Sequence, residues 1–115
     1  MVMHYSTENN EAGVMPTAAE MEAIGQLMGE YATSGVLLGG EGVHPSSKGA
    51  RIDFTDGNAR VIDGPFAEAK EVIAGFAILE VKSREEAVEI AKRFAAATGT
   101  PRIDVRQVVE FTDFE

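Results

Sequence analysis

Two histidines and no cysteine set the limits of the chemistry this chain can do. His44 precedes Pro45, Ser46, Ser47, Lys48 and Gly49, a segment whose composition makes it a loop. Imidazole titrates near neutrality, so His44 there could exchange protons with a bound substrate. Ser46, Ser47, Lys48 and the backbone of Gly49 could together receive a phosphate or carboxylate. The same residues also suit an ordinary polar surface loop. The segment is not a Walker loop, because the glycine spacing and the following helix are both missing. Further on stands Asp63-Gly64-Pro65-Phe66, the most distinctive tetrapeptide of the chain. Proline fixes its own φ and restricts its predecessor, which gives a rigid turn. Asp63 could accept backbone N–H bonds across that turn, and Phe66 could anchor it by burial. Alternatively the turn holds Asp63 at a pocket rim as a proton-accepting or ligand-binding carboxylate.

His4 falls in an expected first strand, as a hydrogen-bonded core or interface histidine or as a ligand contact beside Tyr5 or Arg106. Arg106 interrupts an apolar final strand, and a buried guanidinium needs an anion, either Glu80 or Asp104 or a substrate carboxylate. Glu68, Lys70 and Glu71 could form a polar cluster after the turn, or simply a solvated connector. No spacing of His, Asp and Glu matches a metal site, so no metal is expected. Gly39-Gly40-Glu41-Gly42 opens no helix, so no dinucleotide fingerprint is present and no cofactor is expected. Serine-nucleophile signatures are absent as well.

These residues must be positioned by one domain spanning 1–115, since 115 residues are too few for two independent cores. Hydrophobic residues at 44% and charged residues at 25% fit a soluble globular chain. The net charge of −9 argues against nucleic acid or an anionic membrane surface as partner. Neither a signal peptide nor a membrane span is visible, and a cytoplasmic protein is the expectation.

The expected elements follow from pattern and punctuation. Met1–Ser6 reads as a strand and Thr7–Pro16 as a polar loop. Thr17 caps a helix with Glu20 three residues on, Met21, Ile24, Leu27, Met28 and Tyr31 line its apolar face, and Gly35 ends it. Val36–Val43 is a second strand. Ala50–Thr55 and Ala59–Asp63 flank Asp56-Gly57-Asn58, which predicts a β-hairpin. Val72–Val81 is a long strand apolar on both sides. Ser83 and Glu86 cap a helix whose stripe is Ala87, Ile90, Ala91, Phe94 and Ala95, with Gly99 at its end. Arg102–Phe111 is the last strand. The order predicts an α+β, ferredoxin-like fold with an inserted β-hairpin. The doubly apolar strand calls for a second subunit on the sheet's other face, a homodimer.

The run Val61-Ile62-Asp63-Gly64-Pro65-Phe66-Ala67-Glu68-Ala69-Lys70-Glu71, continued by Ile73-Ala74-Gly75-Phe76, resembles the signature of the DGPF proteins of the YCII-related group. Gly35-Val36-Leu37-Leu38, then Gly42 through Arg51, and the closing Val105-Arg106-Gln107-Val108 are similar to it too. The resemblance implies a dimeric α/β-barrel of ferredoxin-like halves. It also implies association with extracytoplasmic-function sigma factors, hence a regulatory or stress-response role. Related YCII proteins carry a His–Asp pair to which acid–base work is ascribed, with its histidine early in the first helix. Thr17–Ser34 contains no histidine, and Met1–Ser6 is shorter than the family's first strand. Three functions follow: a small-molecule-binding or regulatory dimer, an enzyme doing acid–base chemistry on a small anionic metabolite in the dimer cavity, or a purely structural role. In the enzyme, Asp63 or His44 is the base, and Lys48 and Arg106 fix the substrate.

Overall fold

A computed structural model describes residues 1–66 and 71–114. Strand β1 is Val2–Tyr5, followed by a one-turn helix α1 (Glu8–Glu11) and the long helix α2 (Ala18–Thr33). Strand β2 (Leu37–Gly42) leads through a 3₁₀ turn at Ser46–Lys48 to the hairpin strands β3 (Ala50–Asp53) and β4 (Arg60–Asp63). Strand β5 (Ile73–Leu79), helix α3 (Arg84–Thr98) and strand β6 (Ile103–Val105) complete the fold, before a final 3₁₀ turn at Phe111–Phe114. The result is a mixed α+β domain. Its main sheet is antiparallel in the order β2-β5-β1-β6, while β3 and β4 form a separate two-stranded sheet. Among the described residues no helix is long and apolar enough to cross a membrane.

The helix starts follow the sequence closely. Thr17 Oγ1 accepts the Glu20 N–H at 3.1 Å, and Ser83 Oγ accepts the Glu86 N–H at 3.1 Å, so each satisfies a donor the helix cannot. Gly99 takes the left-handed conformation at φ 69° and closes α3. One element went unread: within the expected loop, Thr7 and Asn10 form a reciprocal capping box that starts α1.

Both helices lie on the face of the sheet that carries Val2, Ala77, Ile103 and Val105. Helix α3 reaches the sheet through Ala91, in a cluster with Val2 and Ala77. Helix α2 instead packs sideways, with Leu27 against Ile90 and Phe94 of α3. Leu27 is the only buried residue of α2, and Met21, expected in its buried stripe, is exposed.

The last strand is shorter than its composition suggests. It pairs with β1 from Ile103 to Val105, and the Arg106 N–H still reaches the Met1 carbonyl at 2.8 Å. Gln107 onward forms no ladder with β1.

Glycines mark where backbones come close. A Cβ on Gly40 would lie 2.6 Å from the Phe76 carbonyl, and one on Gly64 would overlap the Ser46 carbonyl. By contrast Gly25, exposed inside α2, has open space around it. Gly64→Ala is therefore expected to lower stability by about 1–3 kcal/mol. Gly25→Ala should raise it by about 0.5–1 kcal/mol through helix propensity. Urea unfolding of the two variants beside the parent checks both signs; equal effects would contradict the packing described.

Candidate functional site

The volume that α2 leaves unfilled is a cleft of about 610 Å³. Its floor is sheet, including Val2, His4 and Ala77; its wall is Ile24 and Met28 of α2; its outer lip is Asn10–Pro16. At the mouth lie His44, Pro45, Ser47 and Lys48 from the loop after β2. A cavity of this size, mostly apolar with a few convergent polar groups, is of the kind that takes a small organic ligand.

His4 occupies the floor because of strand register. Side chains alternate across a strand, so His4 shares the helix-facing side with Val2. Its cross-strand neighbour on β5 is Gly75. There a Cβ would lie 2.6 Å from His4 Nε2, so the missing side chain makes the seat for the ring. Burial lowers the His4 pKa, because desolvation penalises the imidazolium. Among the described residues nothing hydrogen-bonds this imidazole. It is a neutral ring with one donor and one acceptor to offer. Tyr5, the next residue, points to the opposite face, where its hydroxyl donates to Asp104 Oδ2 at 2.6 Å and Arg102 stacks 4.1 Å from its ring centroid.

The other expected site residues separate. His44, Ser47 and Lys48 join His4 around the cleft. Ser46 does not: it is buried, its N–H donates to Glu11 Oε1 at 2.8 Å and its hydroxyl donates to Glu11 Oε2. That hydroxyl also accepts the Phe66 N–H at 2.9 Å. The hydrogen bond expected from Asp63 across the turn is therefore made by Ser46. Asp63 itself is exposed at the end of β4 and lies outside the cleft lining. The Gly64–Pro65 bond that follows it is cis. Arg106, expected to be buried, is exposed and lines a separate groove of about 390 Å³ with Arg84 and Lys92. Asp104, one of its expected partners, takes the Tyr5 hydroxyl instead. Of the polar cluster Glu68, Lys70 and Glu71, the first two lie outside the described residues.

Sequence reasoning missed Glu11 and Gly75. Glu11 stood in an apparently featureless polar loop. Gly75 carried a usable signal, since an isolated glycine in an apolar strand marks a close approach.

The His4 assignment has a pH consequence. With its folded pKa below the ordinary 6.5, the protein binds fewer protons than the unfolded chain. Stability is then whole above that ordinary value and falls as the pH drops from it toward the depressed one. His4→Gln should remove this part of the acid slope, and the ring's NMR titration should run below a free histidine's. A His4 titration at or above 6.5 would refute the desolvated seat.

The YCII-related domain model matches residues 1–112. The chain is also 30% identical over 77 residues to an uncharacterized protein of Rhizobium meliloti (strain 1021), covering 67% of this chain and 62% of that relative. With a family model aligned from the first strand to the last turn, this chain belongs to the YCII-related domain family.

Proposed function

We propose that this chain is a cytoplasmic, homodimeric module that binds a small amphipathic acid in the cleft above His4. The observation that carries the reading is His4 itself, a desolvated imidazole without a hydrogen-bond partner among the described residues. No buried side-chain nitrogen or oxygen among the described residues lacks a partner, so the unbonded ring nitrogens of His4 lie open to the cleft, where a ligand's polar group can reach them. Lys48 and His44 at the mouth suit the acid, while Ile24 and Met28 suit an apolar body.

The dimer rests on shape and surface. The molecule measures 47 × 44 × 19 Å, the thickness of one sheet plus one helix layer. Its radius of gyration is 15.9 Å, where a compact chain of this length has about 13 Å. It exposes 8224 Å², against about 6,100 Å² for a compact monomer of its mass. An excess of about 2,100 Å² is ample for a stable interface, which needs about 800 Å² per partner. Strand order β2-β5-β1-β6 with two helices on one face supports reading the chain as a ferredoxin-like half. Two such halves joined through their uncovered sheet faces make a dimeric α/β-barrel. Met3, Phe76 and Ile78 are the apolar residues that alternation places on that face. Sigma-factor-linked stress regulation is the process that the family likeness favours for a ligand-loaded dimer.

A second reading draws on the same imidazole. A neutral ring at the bottom of a mostly apolar cleft is suited to take a proton from a bound anionic metabolite. In that enzyme His4, rather than Asp63, is the base.

Thermal melting against a panel of aromatic and aliphatic carboxylates and phosphate esters tests the binding reading. A ligand at 100 times its Kd should stabilise the fold by about 2.7 kcal/mol, and the gain should vanish in His4→Ala and shrink in Lys48→Ala. A panel without a hit, or a hit indifferent to both substitutions, removes the cleft as the site. Consumption of the hit by the parent but not by His4→Gln would establish the enzyme. Sedimentation should give a dimer that Ile78→Glu converts to a folded monomer; a monomeric parent sinks the assembly.

A further inference from the structure

We infer that Glu11, Ser46 and the Phe66 N–H form a latch that couples the lip of the cleft to the turn at the root of the β-hairpin. The inference rests on the cleft being a ligand site, and it adds how occupancy is transmitted. Helix α1 has four residues and no buried side chain. The loop that follows carries Val14 and Met15, which line the cleft yet are 54% and 76% exposed. Apolar packing therefore does not hold this lip in place.

What does hold it is polar. Both Glu11 carboxylate oxygens bind Ser46, one at the N–H and one at the hydroxyl. The serine has a single hydroxyl proton, so giving it to Glu11 aims an oxygen lone pair at the Phe66 N–H. Consecutive bonds through one hydroxyl polarise each other, so each is stronger when the other is made. The contact is also rigid at the far end: Gly64 abuts the Ser46 carbonyl with no room for a Cβ, and its N–H donates to the Gly49 carbonyl at 3.1 Å. Displacing the lip pulls Glu11 off Ser46 and loosens the bond to Phe66.

The coupling runs both ways, as linkage requires. A ligand that buries Val14 and Met15 seats Glu11 on Ser46 and tightens the turn. Anything that orders the hairpin root tightens binding in the cleft. Glu11 and Ser46 are positioning residues in this scheme, and neither needs to touch the ligand.

Amide hydrogen exchange read by NMR tests the latch, with 8-anilinonaphthalene-1-sulfonate as the cleft probe and the His4 ring signals reporting its seat. The dye should slow exchange at the Phe66 and Gly64 amides about 10-fold. In Glu11→Ala without dye, exchange at Phe66 should quicken about as much, although its own acceptor, the Ser46 hydroxyl, is intact. The dye's slowing at Phe66 should also disappear in that variant. Glu11→Gln keeps the shape and one acceptor, and should give a smaller change in the same direction. Quickening confined to Ser46 in Glu11→Ala, or dye protection at Phe66 equal in parent and variant, overturns the latch. Dye that leaves the His4 signals unmoved counts against the cleft as the site, and the dye-free exchange at Phe66 then decides the latch by itself.

Discussion

The site exists because of a deficit of side-chain volume under α2. Where β2 and β5 run side by side, their helix-facing positions are Gly40 opposite Ala77 and Gly42 opposite Gly75. These residues cannot reach up to a helix. Helix α3 meets the problem with small residues of its own, Ala87 and Ala91, and comes down close to the sheet. Helix α2 carries larger side chains and gains its burial from α3 instead, through Leu27 against Ile90 and Phe94. Protein interiors are otherwise filled to crystal-like density, so the cleft of about 610 Å³ between this helix and its sheet is space that the fold's own side chains leave open to solvent or to a ligand.

One residue of the floor does stand up into the gap, and it is polar. An aliphatic side chain at position 4 would have filled the seat above Gly75 without any desolvation cost. The imidazole there loses part of its water, which lowers its pKa, and among the described residues it has no hydrogen-bond partner. A titratable group perturbed by burial in a cleft is where function concentrates. The contrast with Tyr5 is instructive. One position along the same strand, on the other face, a polar ring is fully engaged by Asp104 and Arg102.

Much of the architecture was legible because it is written in local chemistry. Thr17, Ser83 and Gly99 announce helix ends through donors and carbonyls that a helix cannot satisfy itself, and each does that work. The Asp56-Gly57 turn is likewise a local matter, with Gly57 at φ 86°. What failed was what depends on distant neighbours. The β-propensity of residues 106–111 does not extend the final strand, which pairs with β1 only from Ile103 to Val105. The burial expected for Arg106 came from its apolar neighbours in sequence, whereas that part of the chain lies beyond the paired sheet. The site was half legible for the same reason. His44 and Lys48 share a loop, so their closeness was legible in sequence, but only strand register brings His4 to them, and only tertiary contact gives Glu11 its partner.

The Asp63-Gly64-Pro65-Phe66 segment shows how a motif that is one unit in sequence can be two in physics. Gly64 is required by the carbonyl of Ser46, which leaves no room for a Cβ. Phe66 supplies the N–H that the Ser46 hydroxyl accepts, and its ring lies 4.2 Å from the Arg51 guanidinium, a cation–π contact. Both residues serve a seat for Ser46, and through Ser46 they meet Glu11 at the edge of the cleft. Asp63 belongs to none of this. It is exposed, and its carboxylate makes no hydrogen bond to the described residues. The turn would form as well with a neutral residue there. The seat accounts for the glycine and the phenylalanine, and it leaves the carboxylate beside them unexplained by the fold.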